Sequence, residues 1–113
     1  MTNLPFRQDP AHTALIVVDV QNDFCDPRGS LAEVGTDVSS AVEMVPRLEK
    51  LIDDARSAGV PVFFIQTLHD ETNDSTSWLD RTSLEPGTRS TGFICRTGTW
   101  GAELYRVQPR PGS

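Results

Sequence analysis

Asp19 is the first residue of this chain whose position suggests chemistry. It directly follows Ala14–Val18, a short unbroken apolar run with β-branched residues, which predicts a strand buried on both faces of a sheet. An acid at the end of such a strand lies at the sheet edge where open α/β folds bind ligands, so Asp19 is a candidate catalytic carboxylate. The residue types alone leave a second interpretation open, in which Asp19 caps the turn that follows.

Cys25 is a possible nucleophile in the loop expected after this strand, residues 21–29. No His or Lys stands close to it in the sequence that could activate its thiol, so a small buried side chain is the better interpretation. The second cysteine, Cys95, is too far along the chain to form a metal-binding spacing or a disulfide framework with it. Reduced thiols and a cytoplasmic location are therefore expected.

A helix is predicted after the loop, because one apolar stripe recurs at helical spacing. Pro46 is tolerated only in the first turn of a helix, so the main helix is expected to begin near Val45. Gly59 provides a stop signal, and Lys50 falls on the polar face, away from any site at the strand edge. The stripe consists of Ala41, Met44, Val45, Leu48, Leu51, Ile52 and Ala55.

Val60–Ile65 is a second apolar, β-branched run and predicts a second strand. Strand, helix and strand form a βαβ unit, whose handedness places its two strands side by side. Gln66, Thr67 and His69 should therefore emerge beside Asp19. Nucleotide binding is disfavoured, because no glycine-rich turn follows the first strand.

Charge and hydropathy restrict the partners of the chain. Ten basic and sixteen acidic residues give a net charge of −6, without any basic cluster. This argues against nucleic acids and anionic membranes, which select grouped Lys and Arg. No apolar stretch approaches the ~20 residues that span a bilayer, and the polar first twelve residues, expected to form a surface arm, lack the features of a signal peptide.

Two stretches of the chain resemble the isochorismatase-like cysteine hydrolases. Residues 18–24, Val-Asp-Val-Gln-Asn-Asp-Phe, are similar to the opening of that family, and Cys95–Leu104 resembles its Cys-x-x-Gly-Thr-x-Gly-x-x-Leu segment. The resemblance implies an α/β fold, the N-terminal half of a three-layer α/β/α (Rossmann-like) parallel-sheet domain, with a βαβ unit and a long lid loop. Residues 1–113 would be the N-terminal portion of a single, incomplete hydrolase domain, in which Cys95 is structural.

The resemblance also implies a mechanism in which Asp19 is the general acid–base. A Cys attacks the substrate carbonyl to form an acyl-cysteine intermediate, and a Lys favours the charged forms of its neighbours. Both groups are expected beyond Ser113. The missing C-terminal half, which would supply them, is therefore an expected partner of this chain. These 113 residues alone are expected to be inactive. We further expect a homo-oligomer without a cofactor.

The substrate class also follows from the resemblance. Nicotinamidase-like members bind a metal through an Asp-x-His after the second strand, whereas residues 67–69 read Thr-Leu-His, so no metal is predicted. The chain looks more like the hydrolases of small amide, carbamoyl or ureido compounds. Open alternatives are an isochorismatase acting on a vinyl ether, a non-catalytic scaffold domain, and an Asp-dependent phosphohydrolase, which would need a second acid where Gln21 stands.

Phe24 and Trp78 are the candidate substrate-binding aromatics. The neighbours of Phe24, namely Asn22, Asp23 and Asp26, are expected to be solvated, which favours Phe24 as a wall of the crevice over plain packing. Trp78 lies in a polar segment, residues 68–99, that shows no clear periodicity. It could line the pocket of the family or anchor this segment to the body of the domain.

Overall fold

The computed structural model describes residues 9–82 and 94–111. The expectations for the first eight residues and for residues 83–93 of the polar segment lie outside this part of the chain. The elements are, in order, a 3-10 turn Pro10–His12, β1 Leu15–Val18, α1 Asn22–Cys25, α2 Ser30–Glu33, α3 Ser39–Ser57, β2 Val62–Ile65, α4 Thr76–Thr82 and a 3-10 turn Trp100–Ala102.

The predicted βαβ unit is confirmed. β1 and β2 pair in parallel, in a register that runs from Leu15 opposite Val62 to Val18 opposite Ile65, and α3 connects them. Each strand is shorter than expected by one or two residues, at its N-terminal end. The carboxyl ends of both strands therefore meet at one edge of the sheet, as the sequence predicted.

Only one face of this sheet is covered by the described residues. Val17 and Val62 are buried and belong to the same cluster as Val45 and Ile52 of α3. The expectation that the first strand is buried on both faces is wrong here, because Val18 is 56% exposed. A single helix covers a single face, and the described elements leave the other one open.

α3 begins at Ser39, so the expectation that the main helix begins near Val45 is wrong, and Pro46 lies inside it. An internal proline removes a helical hydrogen bond and costs about 3 kcal/mol or more. Burial of the adjacent Val45 and of Ile52 contributes about 1.5–3 kcal/mol each, which offsets that cost. Pro46 itself is exposed.

The segments expected to be irregular contain short helices. α1 lies within the predicted loop 21–29, and α2 forms a single turn that begins at Ser30. The polar segment 68–99 includes α4, and an isolated bridge joins His69 to Arg96. Ile94, Cys95 and Ala102 form a second small core there, against which Trp78 packs. In the described part of the chain, no helix is long and apolar enough to cross a membrane.

Candidate active site

Asp19 ends β1 and turns the chain out of the sheet. Its backbone N–H donates to the carbonyl of Ile65 at 2.9 Å, the last rung of the ladder. Its φ of 58° lies in the left-handed region, which Asp adopts more readily than most residues other than Gly. The half-buried Asp19 side chain therefore lies at the carboxyl edge of the sheet, as expected.

Thr67, which lies two residues after the end of β2, contacts Asp19. Its hydroxyl Oγ1 donates to Oδ1 of Asp19 at 3.0 Å, which confirms that the two strand ends bring their polar side chains together. The other two side chains predicted there go elsewhere: Gln66 donates to the carbonyl of Ala102 at 3.0 Å, and the ring of His69 stacks on Trp78.

Gln21 is a site residue that sequence reasoning did not single out. Its side chain is fully buried, and its Nε2 donates to the carbonyls of Thr67 and Ala102, each at 2.8 Å. Its Oε1 accepts the backbone N–H of Thr67 at 2.8 Å. The one signal in the sequence was its place two residues after Asp19.

The expectation that Asn22, Asp23 and Asp26 are solvated is wrong, because all three are buried. Each side chain makes at least one hydrogen bond to another group of the protein, which offsets the cost of leaving water. Asn22 donates to the carbonyl of Trp100 at 2.8 Å. The Arg28 side chain donates to Asp26 and holds the pKa of that carboxyl below its ordinary value.

Asp23 joins the two stretches that resembled the hydrolase family. Its Oδ1 accepts the backbone N–H of Ser30 at 3.0 Å, and its Oδ2 accepts that of Cys95 at 2.7 Å. The backbone strengthens this junction, because Asn22 donates to the carbonyl of Glu103 at 2.9 Å. Residues 18–24 and 95–104 therefore dock on each other directly beside Asp19.

Phe24 is half-buried and packs against both hydrophobic clusters. It belongs to the junction between the α3-covered core and the small core around Cys95. These contacts show a packing role, and a role in contacting substrate stays a prediction.

Trp78 stacks on His69, with ring centroids 4.6 Å apart and an interplanar angle of 8°. Asp74 continues this group, since its Oδ1 lies 3.7 Å from Nδ1 of His69 and its Oδ2 lies 2.6 Å from Nη1 of Arg96. Together with the packing of Trp78 on the second core, these contacts anchor α4 to the body of the domain. A role for Trp78 in lining the pocket stays a prediction.

Both cysteines are free and buried. Burial raises the pKa of the Cys25 thiol, and burial, with a smaller contribution from the Asp23 carboxylate, raises the pKa of Cys95 to about 12. A nucleophilic cysteine needs the opposite shift. The geometry therefore supports the structural interpretation of both residues.

A cavity of about 220 Å³ opens beside the end of β2. Its lining does not include Asp19, so the candidate site is defined by the hydrogen-bonded strand ends and not by this cavity. Within residues 9–82 and 94–111, no group of three or more His, Cys, Asp or Glu is arranged to hold a metal ion. The cavity is lined by Gln66, Leu68, Gly98, Thr99, Ala102 and Glu103.

Comparison with known proteins shows a family match to the isochorismatase domain over residues 13–112. Similar relatives are ureidoacrylate amidohydrolases RutB. The protein from Methylobacterium radiotolerans is 45% identical over 119 residues, which cover 96% of this chain and 46% of the relative. The protein from Pseudomonas savastanoi pv. phaseolicola is 32% identical over 118 residues, which cover 96% of this chain and 48% of the relative. The chain thus spans about half the length of the curated relatives it matches.

Proposed function

The chain belongs to the isochorismatase family, and we propose that it forms the N-terminal portion of a single hydrolase domain that cleaves a C–N bond. The proposed substrate is a small ureido, carbamoyl or amide compound, in line with relatives that are named ureidoacrylate amidohydrolases. The observation that carries the proposal is the Asp19 carboxylate at the carboxyl edge of the sheet, with the Thr67 hydroxyl bonded to one of its oxygens.

In the proposed reaction, the Asp19 carboxylate takes the proton of a cysteine thiol, and the thiolate attacks the carbonyl carbon of the substrate. Asp19 then donates this proton to the leaving nitrogen, the C–N bond breaks, and an acyl-cysteine remains. A water molecule next gives a proton to Asp19 and attacks the thioester carbonyl. The proton returns from Asp19 to the cysteine sulfur as the acid product leaves.

The nucleophile and the supporting lysine are assigned to a part of the complete protein beyond this chain. Cys25 and Cys95 are buried with raised pKa values, and Lys50, the single lysine, is exposed and pairs with Asp54 at 2.6 Å. These contacts support the expectation that the chain alone does not hydrolyse substrate. We place the complete protein in the cytoplasm as a homo-oligomer, with Phe24 and Trp78 contacting substrate and with no metal or cofactor.

A substrate panel assayed with the complete protein tests this function. We expect turnover of ureido or carbamoyl compounds, observed as release of the nitrogen product, and none of a phosphomonoester. Asp19→Asn should abolish turnover, because an amide cannot exchange the proton, while the melting temperature stays close to that of the parent. Near-normal kcat in Asp19→Asn would contradict the role of Asp19.

The other outcomes of the panel identify the alternatives. Phosphate release that depends on Mg²⁺ would favour the phosphohydrolase, and hydrolysis of a vinyl ether alone would favour an isochorismatase. A folded complete protein that turns over no compound of the panel would favour the scaffold domain.

A further inference from the structure

The backbone ladder between β1 and β2 stops one step before Thr67. Its last hydrogen bond joins the N–H of Asp19 to the carbonyl of Ile65, and the left-handed φ of Asp19 then turns the chain away. Thr67 lies two residues beyond Ile65, so β1 offers no further peptide group to pair with its backbone. A residue in this position would ordinarily be free to move with the loop.

The carboxamide of Gln21 takes the place of the missing peptide group. It accepts the N–H of Thr67 and donates to the carbonyl of the same residue, both at 2.8 Å, as a neighbouring strand would. Its second N–H donates to Ala102, so both donors and the acceptor are used. A reversed amide would turn its oxygen towards two carbonyl oxygens, so the contacts fix its orientation.

The fixed backbone of Thr67 in turn sets the position of its hydroxyl on Asp19. Oγ1 donates to Oδ1 of Asp19 at 3.0 Å, and among the described residues no other side-chain hydrogen bond reaches this carboxylate. One carboxylate oxygen is therefore held in place, and Oδ2 is left to take and give a proton. A correctly held base accelerates proton transfer more than one that rotates freely.

On the basis of the function proposed above, we propose that Gln21 and Thr67 are positioning residues for proton transfer by Asp19. Gln21 holds the backbone of Thr67, Thr67 holds Oδ1 of Asp19, and Oδ2 exchanges the proton. Neither residue needs to contact the reacting atoms.

The test compares Thr67→Val with Thr67→Ser in the complete protein. Valine has the shape of threonine without the hydroxyl and keeps both backbone bonds to Gln21, whereas serine keeps the hydroxyl. We expect kcat to fall by at least about 10-fold in Thr67→Val with KM within about 2-fold of the parent, and serine to restore most of kcat. A raised KM with unchanged kcat would overturn the inference, since Thr67 would then bind substrate.

Gln21→Met provides a second arm, because methionine fills a similar volume without hydrogen bonds. If Gln21 acts through Thr67, Gln21→Met combined with Thr67→Val should reduce kcat no further than Thr67→Val alone. Independent, multiplying losses would overturn the inference. If Gln21→Met does not fold, the two Thr67 variants decide the question.

Asp19→Asn separates this inference from the function on which it rests. Active Asp19→Asn contradicts the proposed function. Inactive Asp19→Asn together with parental kinetics in Thr67→Val overturns only the positioning role.

Discussion

The carboxylate of Asp23 fills the space in which a side chain at Gly101 would lie, since a Cβ built there overlaps the carboxyl group itself. The carboxylate cannot move aside freely, because it is buried and accepts the backbone N–H groups of Ser30 and Cys95. Glycine is therefore required at position 101 because the Asp23 carboxylate approaches its Cα closely. The backbone conformation of Gly101 does not itself demand glycine.

We predict that Gly101→Ala lowers the free energy of unfolding by about 1–3 kcal/mol, because overpacking forces the Asp23 carboxylate off its two donors. Denaturant unfolding of the complete protein measures this loss. The matched control is the pair of variants Asp23→Ala and Asp23→Ala with Gly101→Ala. Once the carboxylate is gone, the added methyl group should cost much less, and strictly additive losses would show that the two residues do not share this space.

Phe24→Ala should affect both stability and catalysis. The side chain packs against both hydrophobic clusters, so we expect the free energy of unfolding to fall by about 2–4 kcal/mol, less than for a fully buried Phe. If Phe24 also lines the crevice, kcat/KM of the folded fraction falls by an amount equivalent to about 1–3 kcal/mol. Parental kinetics in the folded fraction would leave Phe24 with a packing role alone.

The two thiols should resist alkylation in the native protein. Burial raises the pKa of Cys25 and raises that of Cys95 to about 12, so both stay protonated at about pH 8, where an unfolded thiol is partly ionised. The folded state favours the neutral thiols. Their contribution to the free energy of unfolding is therefore lost as the pH rises above the pKa of a cysteine in the unfolded chain. The measurement uses a variant of the complete protein that retains only these two thiols. In the native state neither thiol should react with a thiol reagent, and after denaturation both should react. Rapid labelling of the native form would contradict the buried, structural assignment.

The sequence alone predicted those elements in which the spacing of apolar residues along the chain indicates which side chains are buried. The apolar run before Asp19 and the helical stripe around Val45 show which residues face a core, and the βαβ rule then brings Thr67 to Asp19. The start of α3 was missed, because the penalty of Pro46 is local while the burial that offsets it depends on the sheet.

The polar half of the site could not be predicted from local pattern. Asp23 looks like a solvated loop acid, and its burial depends on the backbone N–H of Cys95, 72 positions away. Gln21 likewise becomes a site residue only through Thr67, 46 positions away. Periodicity carries no information on such pairs, since each polar group is satisfied by a distant backbone atom.

The open face of the sheet carries four apolar side chains in two cross-strand pairs. Ile16 is paired with Phe63 and Val18 with Ile65, and each side chain is about half exposed. Among residues 9–82 and 94–111 no third strand pairs with this sheet, and a contiguous apolar face next to unpaired strand edges favours association between copies. The isolated 113-residue chain is therefore expected to aggregate or to unfold in part.

We predict that Val18→Thr with Ile65→Thr reduces light scattering and hydrophobic-dye binding by the isolated chain. Threonine keeps the β-branched shape that suits a strand. Its hydroxyl replaces a methyl group of Val18 and the ethyl group of Ile65, so the face becomes more polar at little cost to strand pairing. Leu51→Gln is the matched control, because Leu51 is 50% exposed on α3, away from the sheet face. If this control reduces aggregation as much as the strand variants, general surface hydropathy is responsible. A sharp, cooperative melt of the unmodified isolated chain as a monomer would contradict the prediction outright, because the open face would then be compatible with a stable fold.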